Sequence, residues 1–238
     1  MIAPRAARSP FHLQLAIGFL VVALVGFSTT FFVPLSRGSF TALPFVYFHA
    51  ACLFGWLALL IAQAALVQVR NVSLHRRLGW LGVALVAGIV VSGVVVGAFA
   101  SRRDLASGAT WPYGAYVNIV IEMLTFGTLA GSALALRRRP EFHKRLLVLA
   151  TISALGPAWF RFRHFMPFVP NPIVSFSLVA DSVWLAVMLR EWRVLGRVHP
   201  VYLWAGGAMF AVHLTELAAA DSRLWLDLGR ALLGLAGS

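Results

Sequence analysis

From Phe45 to Gly79 the chain reads FVYFHAACLFGWLALLIAQAALVQVRNVSLHRRLG. An apolar run holding one histidine and one glutamine ends in a basic turn that carries a second histidine. His49, Cys52, Trp56 and Gln63 are spaced by three, four and seven residues, which places them on one face of a helix. A helix that is apolar on its other faces as well belongs inside a membrane.

The same pattern repeats along the chain. Of 238 residues, 60% are apolar and 12% charged, and the mean hydropathy is +0.84, outside the range of soluble domains. Seven runs, 13–33, 45–68, 80–100, 117–136, 146–160, 173–189 and 201–219, are each bounded by charge, Pro or Gly and approach the length that crosses about 30 Å of hydrocarbon. The expected fold is all-α, a seven-transmembrane-helix bundle forming a single integral membrane domain over 1–238, with lipid as its first partner. Pro157 predicts a kink near the end of the fifth span. The tail at 221–236 alternates charge with Leu and Trp, as an amphipathic helix lying on a membrane surface would.

The net charge of +12 does not point to nucleic acid. The basic residues sit in short turns between apolar runs, and no glycine-rich phosphate loop follows a strand. Counted on alternating sides, thirteen Lys and Arg fall with the N-terminus and seven on the opposite side. The positive-inside rule then predicts a cytoplasmic N-terminus and an exported C-terminus. The single cysteine, Cys52, excludes an internal disulfide. LHRRLG at 74–79 and FHKRLL at 142–147 both turn one span into the next, as a parallel internal repeat of helix pairs would; basic turns on one side also resemble each other without duplication. Gly93 with Gly97 and Gly127 with Gly131 have the spacing that lets helices approach closely, and a homo-oligomer is compatible with this composition.

Ionisable groups near a bilayer centre each cost about 2.5–3.5 kcal/mol on insertion scales, so they need partners or a purpose. The candidates are His49, Gln63, Asn118, Glu122, Asp181, His213 and Glu216, with Arg161 and His164 at a span end. The predicted spans bring His49, Glu122, Asp181 and His213 to one level in the outer half, with Glu122 about five residues inside its span. Two imidazoles and one or two carboxylates are ligands for a single metal ion. The alternative reading of the same groups is a set of buried salt bridges, Glu122 or Asp181 with Arg161, with the histidines hydrogen-bonded within the bundle. At the cytoplasmic edge, His75 and His143 sit in turns beside basic residues. They form a second histidine pair, with arginines available for anionic groups such as haem propionates.

His49, fourteen residues before Gln63, followed by Leu74-His75-Arg76-Arg77-Leu78-Gly79, resembles a family of bacterial multi-span membrane proteins of unknown function. His143-Lys144-Arg145-Leu146-Leu147, through to Arg161, is similar to that family's second motif. More distantly, the chain looks like the transmembrane haem-b helical proteins, including ascorbate-reducing dihaem cytochromes and haem A synthases. The resemblance covers about residues 45 to 165. It implies a four-helix core in the bacterial inner membrane, and haem b held by histidines near each face: His49 with His213, and His75 with His143. An electron donor or small-molecule substrate would be the further partner. The alternatives are a metal-dependent enzyme using His49, Glu122, Asp181 and His213, and a transporter or assembly subunit without a cofactor.

Overall fold

The computed structural model describes residues 10–109 and 111–236, and among them there are helices and turns but no strand. α1 (Phe11–Phe27) runs through a π-turn at Ser28–Phe32 into α2 (Val33–Ser36). Then follow α3 (Pro44–Gln68), α4 (Val72–Ala106), α5 (Pro112–Ala135), α6 (Pro140–Ala154), α7 (Gly156–Phe160), α8 (Pro172–Leu195), α9 (Pro200–Ala219) and α10 (Arg223–Leu235).

The boundaries have local causes. Proline opens α3, α5, α6, α8 and α9, where its missing N–H costs nothing and its fixed φ suits the first turn. Asn71 caps α4 by accepting the Leu74 N–H at 3.1 Å, and Ser222 caps α10 through the Trp225 N–H at 3.3 Å. Gly196, with φ at +69°, closes α8 in the left-handed conformation. The kink expected from Pro157 is present, because α6 stops at Ala154 and the helix restarts at Gly156. His75 and His143 lie in the first turns of α4 and α6 rather than in loops. The Asn71 cap and Pro140 start each helix before its histidine.

Contacts fix which helix ends lie together. Arg190 of α8 stacks on the Phe11 ring at 3.6 Å, and Arg145 of α6 donates to Glu191 of α8. The basic turns therefore share one end of the bundle. At the far end Arg161 meets Thr30, Trp111 donates to the Ala220 carbonyl and Arg102 donates to that of Leu233 at 2.6 Å.

Among the described residues, five helices are long and apolar enough to cross a membrane: Phe11–Ser36, α3, α4, α5 and α8. α9 with α10 would make a sixth, though that pair is bent by 100°. The fold is thus all-α with several helices suited to a bilayer. α6 has only 15 residues, and its position explains why. Leu146 and Val148–Ser153 are buried among α5, α8 and α9, so lipid does not have to be met along its length.

The stretch that opened the sequence faces inward as its spacing predicts. His49 Nδ1 lies 2.9 Å from Ser92 Oγ of α4. Trp56 donates to Thr151 Oγ1 at 3.2 Å and meets the Phe126 ring edge-on. Gln63 donates to the His75 carbonyl at 3.1 Å. Gly93 and Gly97 allow α4 to lie against Met123 and Ile119 of α5, where a Cβ would collide. Gly127 faces Val90, whereas Gly131 faces open space. The tail helix does not stand apart from the bundle: α10 packs on α5, and Leu233 joins Ala98 and Tyr116 in a small core of its own.

Candidate functional site

Four helices bring polar side chains to one point. His213 of α9 sits between two carboxylates, with Nδ1 2.7 Å from Asp181 Oδ1 of α8 and Nε2 3.1 Å from Glu122 Oε1 of α5. The first contact is a hydrogen bond. The second is a close charge contact outside hydrogen-bond alignment, and Nε2 has no hydrogen-bond partner. Ser153 of α6 donates to the other Glu122 oxygen at 2.8 Å. Glu216 lies one turn along α9 from His213, 7% exposed, and its Oε1 is buried without a hydrogen-bond partner.

A carboxylate can only accept, so a ring facing one at each nitrogen serves both only with a proton on each. Two carboxyl groups face this one imidazole, with Glu216 beside them. Among the described residues, the cationic partner of Glu122 and Asp181 is His213. Arg161 is engaged elsewhere, donating to Thr30 Oγ1 at 3.1 Å and to the Pro157 carbonyl at 2.7 Å, with its guanidinium over the Phe27 ring. The salt bridge to Arg161 expected from sequence is replaced by the one to His213.

The cluster is deeper than the span boundaries suggested. α5 begins at Pro112, so Glu122 is ten residues in, about 15 Å at 1.5 Å per residue. Asp181 is nine residues past Pro172, at a similar depth. Buried charge at that level is costly unless paired, and His213 is the group that faces both Glu122 and Asp181.

The sequence-derived set is therefore divided. Glu122, Asp181 and His213 meet, with Glu216 beside them. His49 is held by Ser92 on α4, and its ring borders Gly93. Among the described residues, no three His, Cys, Asp or Glu side chains are arranged to hold a metal ion. Ser153 was missed. A serine in an apolar run carries no signal of its own until the fold sets it opposite Glu122.

At the basic end, His75 Nδ1 lies 3.4 Å from the Gln63 carbonyl and His143 Nδ1 lies 2.8 Å from that of Ala133. A carbonyl accepts only, so each Nδ1 carries a proton and donates it there, which leaves each Nε2 out of these two bonds. Burial holds the His143 imidazole below its ordinary value; the Ala133 hydrogen bond opposes this and the charge of nearby His75 adds to it. Arg145 is buried and donates to Glu191 Oε1 at 2.8 Å and Glu141 Oε2 at 2.6 Å. Hydrogen bonds from Arg145 and Lys144 hold the Glu141 carboxyl down at about 2. Glu191 also accepts the His199 N–H at 2.7 Å, which ties α6, α8 and the start of α9 together.

Compared with models of known protein families, with curated proteins and with solved structures, the chain matches none.

Proposed function

We propose that the chain is a proton-coupled membrane protein whose working site is the Glu122–Asp181–His213–Glu216 cluster. The observation that carries this reading is an imidazole held between two carboxylates, with a third carboxylate beside them that has an unpartnered oxygen. A purely structural ion pair needs one carboxylate per cation. The surplus here is a place for an exchangeable proton, and chains of Asp, Glu and His within membranes serve proton relays. In a weakly buffered solution carrying an indicator dye, a shift from about pH 9 to pH 5 should load about one proton more per chain onto the wild type than onto Glu216→Gln. Equal uptake by the two proteins would count against the reading.

A second reading concerns the basic end. The resemblance implies haem, and the donor chemistry there fits a metal-bound group, since both Nδ1 atoms are spent on main-chain carbonyls and both Nε2 atoms are free to ligate. Arg76 and Arg77, next to His75 in the sequence, would serve an anionic substituent. His49 with His213 does not fit a bis-imidazole haem, because both His213 nitrogens face carboxylates. A Soret band in the purified protein, lost in His143→Ala, is the expected sign of an inner haem. The matched contacts of His75 and His143 to the preceding helices also support reading α3–α4 and α5–α6 as a parallel repeat. The two histidine-basic motifs support placing the chain with the bacterial multi-span family, and so in an inner membrane. The charge asymmetry of the turns supports a cytoplasmic basic end.

A further inference from the structure

Beside the cluster lies a cleft of about 260 Å³ lined by Ile121, Ala211, Val212, Thr215, Glu216 and Trp225. We propose that this cleft binds an ammonium group, from a small amine or a lipid headgroup, against the Glu216 carboxylate in place of its proton. The inference rests on the proton reading of the same cluster and names the solute to which the proton is coupled.

Three observations define the ligand. Glu216 is 7% exposed, lines the cleft and has a buried oxygen with no partner, so its carboxylate gives up no hydrogen bond at that oxygen in turning to a ligand that brings donors. Trp225 lines the same cleft, and its Nε1–H is fixed on Asn118 Oδ1 at 2.8 Å. An indole beside a carboxylate is the pairing that recognises alkylammonium ions. The remaining wall is alkyl, and the Thr215 hydroxyl is occupied with the Ala211 carbonyl at 2.8 Å. A hard metal cation needs about six oxygens and would find one free carboxylate, whereas an ammonium needs one anion and apolar surroundings for its carbon groups.

Charge supports the exchange. The ionisable groups around Glu216 are Glu122 from α5, Asp181 from α8 and His213 on its own helix; α10 contributes Trp225, which does not titrate. One imidazolium offsets one of the three carboxylates. Proton or ammonium on Glu216 reduces the same excess, so one should displace the other and net charge is conserved as they swap.

The test uses the full chain in phosphatidylglycerol nanodiscs with radiolabelled ethylammonium, which carries N–H donors, as probe. Saturable binding is expected, with a proton released to the dye and affinity falling as pH is lowered. Glu216→Gln should abolish binding. Glu216→Asp, which keeps the charge, should retain a weaker site, and Trp225→Leu should bind roughly tenfold more weakly. If adding phosphatidylethanolamine suppresses probe binding, the headgroup is the occupant; if binding persists, a free amine is. Equal binding by wild type and Glu216→Gln, or displacement by sodium at the same concentration, would overturn the ammonium assignment. Proton uptake that depends on Glu216 without probe binding would refute this inference and leave the proton reading standing. Loss of both in folded protein would refute both.

Discussion

His213 holds the cluster together at the level of single residues, since each of its nitrogens faces a carboxylate from a different helix. The Asp181 side chain is 4% exposed and that of His213 11%, so neither is relieved by water if its partner is removed. His213→Ala, which leaves both Glu122 and Asp181 without their cation, should therefore cost about 3–5 kcal/mol, read as a loss of thermal or denaturant stability in detergent. Asp181→Ala made in that background should cost less than it does alone, because the imidazole it pairs with is already gone. Additive losses would show that the two do not act as a pair. Glu216 should behave in the opposite sense. Its Oε1 has no partner to lose, so Glu216→Gln should change stability little while removing the proton site.

At the scale of elements, the crossing of α4 on α5 decides whether Glu122 reaches His213. Gly93 sits against Met123, the residue after Glu122, and a Cβ there would overlap the Met123 sulfur. Gly93→Leu should push the helices apart, costing about 1–3 kcal/mol by overpacking and displacing Glu122. Gly131→Ala on the other small-residue stripe meets open space and should be close to neutral, so comparing the two melting temperatures separates packing from chance spacing. The element boundaries also show what the sequence could and could not convey. Apolar runs bounded by charge, Pro or Gly located the helices, although α4 starts eight residues before its predicted run and α8 ends six residues after its own, and the inward face of α3 followed from the spacing of His49, Cys52, Trp56 and Gln63. Hydropathy placed the start of α5 at 117 because Trp111–Tyr116 mixes polar and aromatic residues; Pro112 in fact opens the helix and carries Glu122 deeper. The docking of α10 was hidden for a similar reason. Its alternation of charge and Leu suits a membrane surface as well as the flank of α5, and the contacts that decide, Arg102 to the Leu233 carbonyl and Trp225 to Asn118, join residues more than a hundred positions apart.

Over the whole molecule, the buried charge at the basic end is matched by partners and that of the cluster deeper in the bundle is not. Arg145 with Glu141 and Glu191 pairs charge inside a lattice of main-chain hydrogen bonds. The Glu122–Asp181–His213–Glu216 group has more carboxylates than cations. Composition made the membrane class legible, and shared depth drew attention to Glu122, Asp181 and His213. It also drew in His49, since depth along a helix says nothing about which neighbour a side chain faces. The measurement closest to the central claim is infrared spectroscopy of the reconstituted protein during a pH titration, because a protonated carboxyl has its own carbonyl band. Acidification should raise such a band reversibly, and the band should be missing from Glu216→Gln but retained in Glu141→Gln, whose carboxyl sits at the basic end. An identical band in wild type and Glu216→Gln would contradict the assignment of an exchangeable proton to this cluster.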